Sequence, residues 1–333
     1  MKKILVAGAG GFIGGHLVRE LIKSGHTIRA VDIKPLNEWY QVSESADNLV
    51  LDLRLKDNCY QAVNGMSEVF NLAADMGGMG FIEKNKAACM LSVLINTHLL
   101  LASRDCGIDR FFYASSACVY NATKQTDTEN PGLRESDAYP AMPEDGYGWE
   151  KLFSERMCRH FSEDFGLTVR IARFHNVYGP FGTYDGGREK APAAICRKVI
   201  EAGITGRKEI LIWGDGLQTR SFMFIDDCIK GIKDIMYSNI DEPLNLGSSE
   251  MVSINDLVDI VEEIAGYRLE RKYDPDAPKG VRGRNSENTL IRKYLGWEPS
   301  IPLREGMKKT YDWIREQLAA ENETRMGSSR FNK

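Results

Sequence analysis

The segment up to Gly25 constrains the fold of this chain more than any other. Lys3-Ile4-Leu5-Val6-Ala7 is a short apolar run, and Gly8-Ala9-Gly10-Gly11-Phe12-Ile13-Gly14 follows it directly. An amphipathic stretch from Gly15 to Lys23 then stops at Ser24-Gly25. Strand, glycine-rich turn and helix in that order put a pyrophosphate on a helix N-terminus, where unpaired N–H groups face the ligand. The glycines at 8, 11 and 14 are spaced three and three, unlike the G-x-G-x-x-G of many dehydrogenases. A second strand, Thr27 to Val31, ends at Asp32. An acid at that place accepts hydrogen bonds from a ribose 2′-OH and repels a 2′-phosphate, which favours NAD over NADP. Lys34 close by weakens that preference a little.

Further apolar runs predict strands at 48–51, 67–72, 109–114 and 167–173, with helical stretches between them. The expected class is α/β: a Rossmann-type doubly wound parallel sheet with a smaller α/β C-terminal substrate domain. Residues 1–176 are assigned to the NAD-binding domain, with a return segment near 216–245. Residues 177–215 and 246–318 are assigned to the substrate domain, and 319–333 to a polar tail that composition alone would call frayed. With 333 residues, the chain is long enough for both domains. A net charge of −4 argues against a nucleic-acid partner. No run approaches the roughly 18 apolar residues of a membrane span, so no membrane is expected. The start lacks the plan of a signal peptide. Seven cysteines are scattered without CxxC pairs, which predicts reduced thiols in the cytoplasm and no metal.

Tyr147-Gly148-Trp149-Glu150-Lys151 carries the first sign of chemistry. A Tyr and a Lys four apart share one helix face, and the ammonium favours the ionised phenol. A tyrosine titrates near 10, so work near neutrality asks for a drop of roughly 3 pH units, or about 4 kcal/mol. The lysine and a cationic nicotinamide ring are expected to supply it. Asp52 follows Leu49-Val50-Leu51, at a strand's C-terminal end where ligands gather. It suits the adenine edge or an ordinary helix N-cap. Asn71 to Gly80 holds three glycines and two methionines. It reads as a loop near cofactor and substrate, or as a mobile solvent loop. Arg188, Lys190, Arg197, Lys198, Arg220, Arg282 and Arg284 form a basic cluster, a candidate site for a substrate diphosphate.

The glycine turn, the Ser-Ser-Ala-Cys-Val-Tyr segment ending at Tyr120, and Tyr147/Lys151 resemble the extended short-chain dehydrogenase/reductase superfamily of nucleotide-sugar enzymes. Within it, five long strings resemble the GDP-mannose 3,5-epimerase family: 71–81, 173–183, 186–194, 213–222 and 280–286. The likeness runs from residue 3 to about 318, with an echo at Gly327-Ser328-Ser329. It implies an NAD-dependent isomerase acting on GDP-mannose. A sugar C–H becomes acidic only when the neighbouring carbon is a ketone, so transient oxidation at C4 would activate both C3 and C5. In that scheme Tyr147 and Lys151 serve the redox steps. Cys118 fits one proton-transfer role, since a thiol titrates near 8.5, and Lys190 fits the opposite face. A buried small apolar residue is the plainer reading of Cys118.

The resemblance also implies NAD contacts from the Gly8–Gly14 turn (Gly8, Gly11, Phe12, Ile13 and Gly14), Asp32, Asp52, Tyr147 and Lys151. It implies substrate contacts from Gly77, Ser116, Ala117, Cys118, Asn176, Glu189, Lys190, Ala191, Lys198, Gln218, Thr219, Arg220, Arg284 and Ser329, with Arg282 close enough to Arg284 to compete. The chain departs from plant members around Ala202–Lys208, at Asn121 and through Lys84–Val93. A 4-epimerase or single-carbon epimerase of the same superfamily is the alternative, and would not need Cys118 and Lys190 as a pair. A non-catalytic NAD sensor is opposed by the intact Tyr147/Lys151 pair. A homodimer is expected, because helices on one sheet face often pair in this superfamily.

Overall fold

The computed structural model describes residues 1–330, with side chains through residue 323. The apolar runs form strands β1 (Lys3–Ala7), β2 (Thr27–Asp32), β3 (Asp47–Val50), β4 (Glu68–Asn71), β5 (Arg110–Ser116) and β6 (Thr168–Phe174). Between them lie helices α1 (Phe12–Lys23), α2 (Lys56–Val63), α3 (Met79–Lys84), α4 (Lys86–Met90), α5 (Ser92–Asp105) and α6 (Tyr147–Phe165). There follow β7 (Val177–Tyr178), α7 (Ala191–Thr205), β8 (Glu209–Trp213), β9 (Thr219–Ser221), β10 (Met223–Phe224), α8 (Ile225–Met236) and β11 (Leu244–Leu246). The chain closes with β12 (Met251–Ser253), α9 (Ile254–Ala265), β13 (Glu270–Asp274), β14 (Gly283–Arg284), α10 (Thr289–Leu295) and α11 (Leu303–Arg330).

Seven strands form one parallel sheet in the order β11-β6-β5-β4-β1-β2-β3. This is the doubly wound arrangement, and the strand order reverses beside β1, where such sheets hold their ligands. Side-chain alternation divides the core by face. Ile4, Val6, Ile28, Ala30, Phe70 and Phe112 pack with the apolar side of α1 and with α8. Leu5, Ala7, Val31, Val69, Phe111 and Tyr113 pack with residues of α2, α5 and α6. Full burial of each large side chain is worth about 1.5–3 kcal/mol.

The second lobe is built from the three-stranded sheet β12-β9-β14, the pair β13-β8 and helices α7, α9 and α11, which pack on one another. Residues 117–146 leave the C-terminal end of β5 and stitch the lobes together. The Gln125 carbonyl accepts from the backbone N–H of Arg282 and Gly283 at 2.9 and 3.2 Å. A Cβ on Gly283 would lie 1.9 Å from the Asp127 carbonyl, so this crossing admits no other residue type.

Two expectations need correction. Lys86–Asp105 is 20 residues of mean hydropathy 1.4, long and apolar enough by length and composition to cross a membrane. It breaks at Leu91 into α4 and α5, and α5 packs against α2 and α6 with Asn96, Leu99, Leu100 and Ala102 buried. Its apolarity serves the sheet's helical layer. The expected frayed tail is instead the continuation of α11 through Arg330. Ala319-Ala320-Glu321 are good helix formers, and Glu321 accepts a hydrogen bond from the Tyr184 hydroxyl.

Beneath the C-terminal ends of β5, β6 and β11 lies a buried polar network. The Asn245 Oδ1 accepts from the Tyr120 hydroxyl and from His175 Nε2, the latter at 2.8 Å. Arg173 makes a two-pronged pair with Glu155, at 2.9 and 2.7 Å. Burial pushes His175 down to about 4 from 6.5, and Arg173 adds to the shift. The unfolded chain therefore takes up a proton between pH 6.5 and 4 that the folded one refuses. The stability present above pH 6.5 is lost as pH falls toward 4, by up to about 3 kcal/mol. Urea midpoints measured from pH 7 to pH 4.5 should fall accordingly, and His175→Gln should flatten that slope. An unchanged slope in the variant would assign the acid sensitivity elsewhere.

Candidate active site

The strands of the parallel main sheet point their C-terminal ends at one edge, where the Gly8 turn after β1, Asp32 at the end of β2 and Ser116 at the end of β5 lie. Gly8 has φ +83 and its amide donates to the Val31 carbonyl at 2.8 Å, which turns the chain from β1 toward α1. A Cβ on Gly14 would lie 2.1 Å from the Gly8 carbonyl, whereas one on Gly11 would meet only that oxygen, at 3.1 Å, and would fill the space above the turn. Gly11 caps α1 with no side-chain bond, and the first turn, with Phe12 and Ile13, holds no acid. The first amides of α1 thus suit a pyrophosphate. Asp32 ends β2, and its Oδ1 accepts from the Lys34 amide at 3.0 Å. Lys34 Nζ donates to the Gly10 carbonyl. Asp52 is not a helix N-cap, since Leu55 precedes α2. Its carboxylate accepts from the Arg54 side chain and amide, and the Arg54 bonds hold it below the usual carboxylate range.

Tyr147 opens α6, and Lys151 lies one turn along it with its Nζ 5.6 Å from the phenol ring centroid. Both are buried. Lys151 Nζ donates to the Ala114 carbonyl at 3.0 Å and stands 3.8 Å from the Glu150 carboxylate. In the protein alone the net shift of the phenol is upward, against the expected drop. Burial pushes Tyr147 well above its ordinary 10, and Cys118 and Glu150 add to the rise, while a hydrogen bond with Ser116 opposes it. Glu150 offsets much of the lysine's charge, so the cationic ring of a bound cofactor has to supply the rest.

Cys118 sits in a short 3-10 turn, Ala117–Val119, whose first amide bond is made to the Ser116 hydroxyl at 3.2 Å. α6 approaches this turn so closely that a Cβ on Gly148 would lie 2.4 Å from the Cys118 carbonyl. Cys118 and Tyr147 share one small buried cluster with Cys89 and Ile82. Lys190 caps α7, with Ala191 as the first helical residue, and reaches the same region. Burial lowers its pKa from 10.5, partly countered by the nearby Cys118 sulfur. Arg220 is lowered by burial to about 10 and also feels Cys118. Arg284 Nη1 donates to Cys118 Sγ at 3.6 Å. Residues from β5, α6, α7, β9 and β14 therefore converge on one sulfur.

The basic cluster divides. Arg188 pairs with Asp75 at 2.7 Å and stacks 3.7 Å from the Phe81 ring centroid, tying the loop after β4 to the segment before α7. Gly77 and Gly78 allow that contact: a Cβ on Gly78 would lie 2.4 Å from the Glu189 carbonyl. The loop is therefore clasped, and α3 begins within it. Arg197 pairs with Glu189 and Glu201, and Arg282 with Asp215. These three arginines are neutralised by carboxylates and leave the expected anion site. Arg220 donates to the carbonyls of Thr219, Lys279 and Val281, and Lys198 Nζ to the Leu211 carbonyl at 2.8 Å. Among the described residues, neither makes an ion pair.

Gln218 Nε2 donates to the Trp213 carbonyl, and its buried Oε1 lacks a partner among the described residues, an acceptor suited to a ligand N–H. Thr219 Oγ1 donates to the Thr128 carbonyl. Asn176 adopts φ 42, and its Nδ2 donates to the Ser221 carbonyl at 3.0 Å. The Ser329 side chain lies outside the described residues. Sequence reasoning missed Glu144 and Gln125, which hold Arg284, and Trp39, whose indole roofs Gly10. None of the three carries a spacing signal.

The model of the NAD dependent epimerase/dehydratase family matches residues 4–247. The chain is 50% identical over 320 residues to GDP-mannose 3,5-epimerase 1 of Oryza sativa subsp. japonica, covering 96% of this chain and 83% of that one. Its fold is similar to that of UDP-glucose 4-epimerase from Thermotoga maritima, solved with UDP-glucose. The TM-score is 0.84 at 25% identity, over 95% of this chain and 99% of that one. UDP-glucuronic acid 4-epimerase from Bacillus cereus, solved with UDP-glucuronic acid and NAD, gives a TM-score of 0.80 at 25% identity, over 95% and 99% of the two chains.

Proposed function

Because this chain belongs to the NAD-dependent epimerase/dehydratase family, we propose that it inverts C3 and C5 of GDP-mannose. The products are GDP-L-galactose and GDP-L-gulose, reached by transient oxidation at C4, proton exchange and re-reduction. The observation that carries this reading is the convergence of Cys118 and Lys190, two groups able to move protons, beside Tyr147. A 4-epimerase needs Tyr147 and Lys151 but no such pair.

NAD, when bound, would supply the hydride acceptor and donor for C4. The glycine turn and the uncapped start of α1 would hold its pyrophosphate, and Asp32 its ribose. Tyr147 takes the C4 hydroxyl proton during oxidation and gives it back during re-reduction. Lys151, fixed on the Ala114 carbonyl, steadies the ionised phenol. The C4 ketone then acidifies the hydrogens on C3 and C5. Inversion requires removal from one face and delivery to the other, and Cys118 and Lys190 serve the two faces. Burial lowers Lys190 from 10.5, which enlarges the neutral fraction that can act as a base. Lys198 and Arg220 meet the diphosphate, and the Gln218 Oε1 accepts from the base.

The test is a substrate panel. Turnover of GDP-mannose to GDP-L-galactose, with UDP-glucose untouched, supports the reading. Interconversion of UDP-glucose and UDP-galactose instead would replace it with the 4-epimerase.

The active unit we propose is a homodimer. Met90, Leu91 and Leu94, at the break between α4 and α5, together with Trp149 and Phe153 on α6, leave large apolar side chains exposed on neighbouring helices. Apolar groups gathered this way mark an interface, and a second copy brings the same face. Light scattering should give twice the chain mass of 37.4 kDa, and Leu94→Lys with Phe153→Asp should give the monomer. A monomeric parent protein would remove the proposal.

A further inference from the structure

Cys118 is held by a closed ring of contacts that the proposed chemistry does not by itself require. The Glu144 amide donates to the Cys118 carbonyl at 3.0 Å. The Glu144 carboxylate is ion-paired with Arg284, and both side chains are largely buried. Arg284 Nη1 in turn donates to Cys118 Sγ at 3.6 Å. Arg284 Nε donates to Gln125 Oε1 at 2.7 Å, which fixes the plane of the guanidinium. Glu144 and Gln125 both belong to the 117–146 segment, so the carboxylate and the amide approach Arg284 from the same connector that carries Cys118.

From this ring we propose that Glu144 is a positioning residue for proton transfer at Cys118, acting through Arg284. The proposal rests on the reading that Cys118 exchanges a proton with the sugar. The sulfur faces the cations Arg284 from β14, Lys190 from α7 and Arg220 from β9, and the phenol of Tyr147 from α6. A guanidinium against a sulfur favours the thiolate, and a carboxylate paired with that guanidinium offsets its charge. Glu144 therefore sets how much of the Arg284 charge the sulfur feels. Its backbone bond to the Cys118 carbonyl keeps the 3-10 turn at the distance where the contact with Arg284 is made.

The test reads the sulfur directly. NAD-loaded protein without substrate is alkylated with iodoacetamide across a pH series, and modification of the Cys118 peptide is followed by mass spectrometry. In Glu144→Gln the Cys118 profile should move to lower pH, with about tenfold faster alkylation on its acidic limb, corresponding to a displacement of about one pH unit. Glu144→Asp should restore the parent profile. Arg284→Lys, which loses the planar fork, should move the profile the other way and carries the test if Glu144→Gln does not fold. For turnover, Glu144→Gln should lower kcat and leave KM unchanged. Identical alkylation profiles in parent, Glu144→Gln and Arg284→Lys proteins would overturn the proposal. A parent protein that ignores GDP-mannose would overturn the proposed reaction, while the alkylation profile would still decide the role of Glu144.

Discussion

Cys118→Ala should abolish inversion of GDP-mannose while leaving oxidation at C4 intact. The expected loss of turnover is about 10²–10⁴-fold, the usual weight of a positioned acid or base. Tyr147, Lys151 and the glycine turn are untouched by this change, so mixing substrate with NAD-loaded protein should still produce a burst of reduced cofactor. Lys190→Ala should behave alike, because removal from one face is useless without delivery to the other. For the same reason the double variant should be little worse than either single one, the non-additivity expected of groups that act as a unit. Independent losses that multiply in the double variant would mean that the two residues do not serve one inversion. Retention of full activity in either single variant would favour the 4-epimerase.

Tyr147→Phe should be as severe, about 10²–10⁴-fold, with a different signature. Without a group to take the C4 hydroxyl proton, no reduced cofactor forms, and no solvent hydrogen enters the sugar even though Cys118 and Lys190 remain in place. The order of events predicts this: neither C3–H nor C5–H is acidic until C4 is a ketone. The phenylalanine ring fills the same buried space, so the protein should keep its stability. Solvent exchange in this variant without cofactor reduction would break the proposed sequence of steps.

Much of the fold was legible because it rests on local pattern. The six strands of the N-terminal lobe follow from short apolar runs bounded by turns, and the alternation of Ile4, Leu5, Val6 and Ala7 between two cores is what a sheet covered on both faces demands. The glycine turn was legible for the same reason, since Gly8 and Gly14 meet backbone within a few residues of themselves or across adjacent strands. Convergence was harder to see. Cys118 and Lys190 are distant in sequence and meet because the end of β5 and the start of α7 open on one cleft. The pairing of the arginines was invisible: Arg188 finds Asp75 across 113 residues and Arg282 finds Asp215 across 67. Charge in a sequence shows what a residue offers, and its partner decides whether anything is left for a ligand. Tyr147 teaches the same lesson, since the helical spacing to Lys151 was correct while burial, with Cys118 and Glu150 adding to it, pushes the phenol up in the protein alone. No run of apolar residues reaches the length of a span because those of Lys86–Asp105 are interrupted, yet as a whole the stretch is apolar enough by length and composition to pass for one.

Solvent-hydrogen exchange tests the central claim most directly. The purified protein is incubated with GDP-mannose in D₂O, and the sugar is followed by proton NMR and mass analysis. Deuterium at both C3 and C5, with GDP-L-galactose and GDP-L-gulose appearing, is the predicted result. Turnover with no deuterium on carbon would contradict it, because inversion by way of a C4 ketone cannot leave both neighbouring carbons unlabelled.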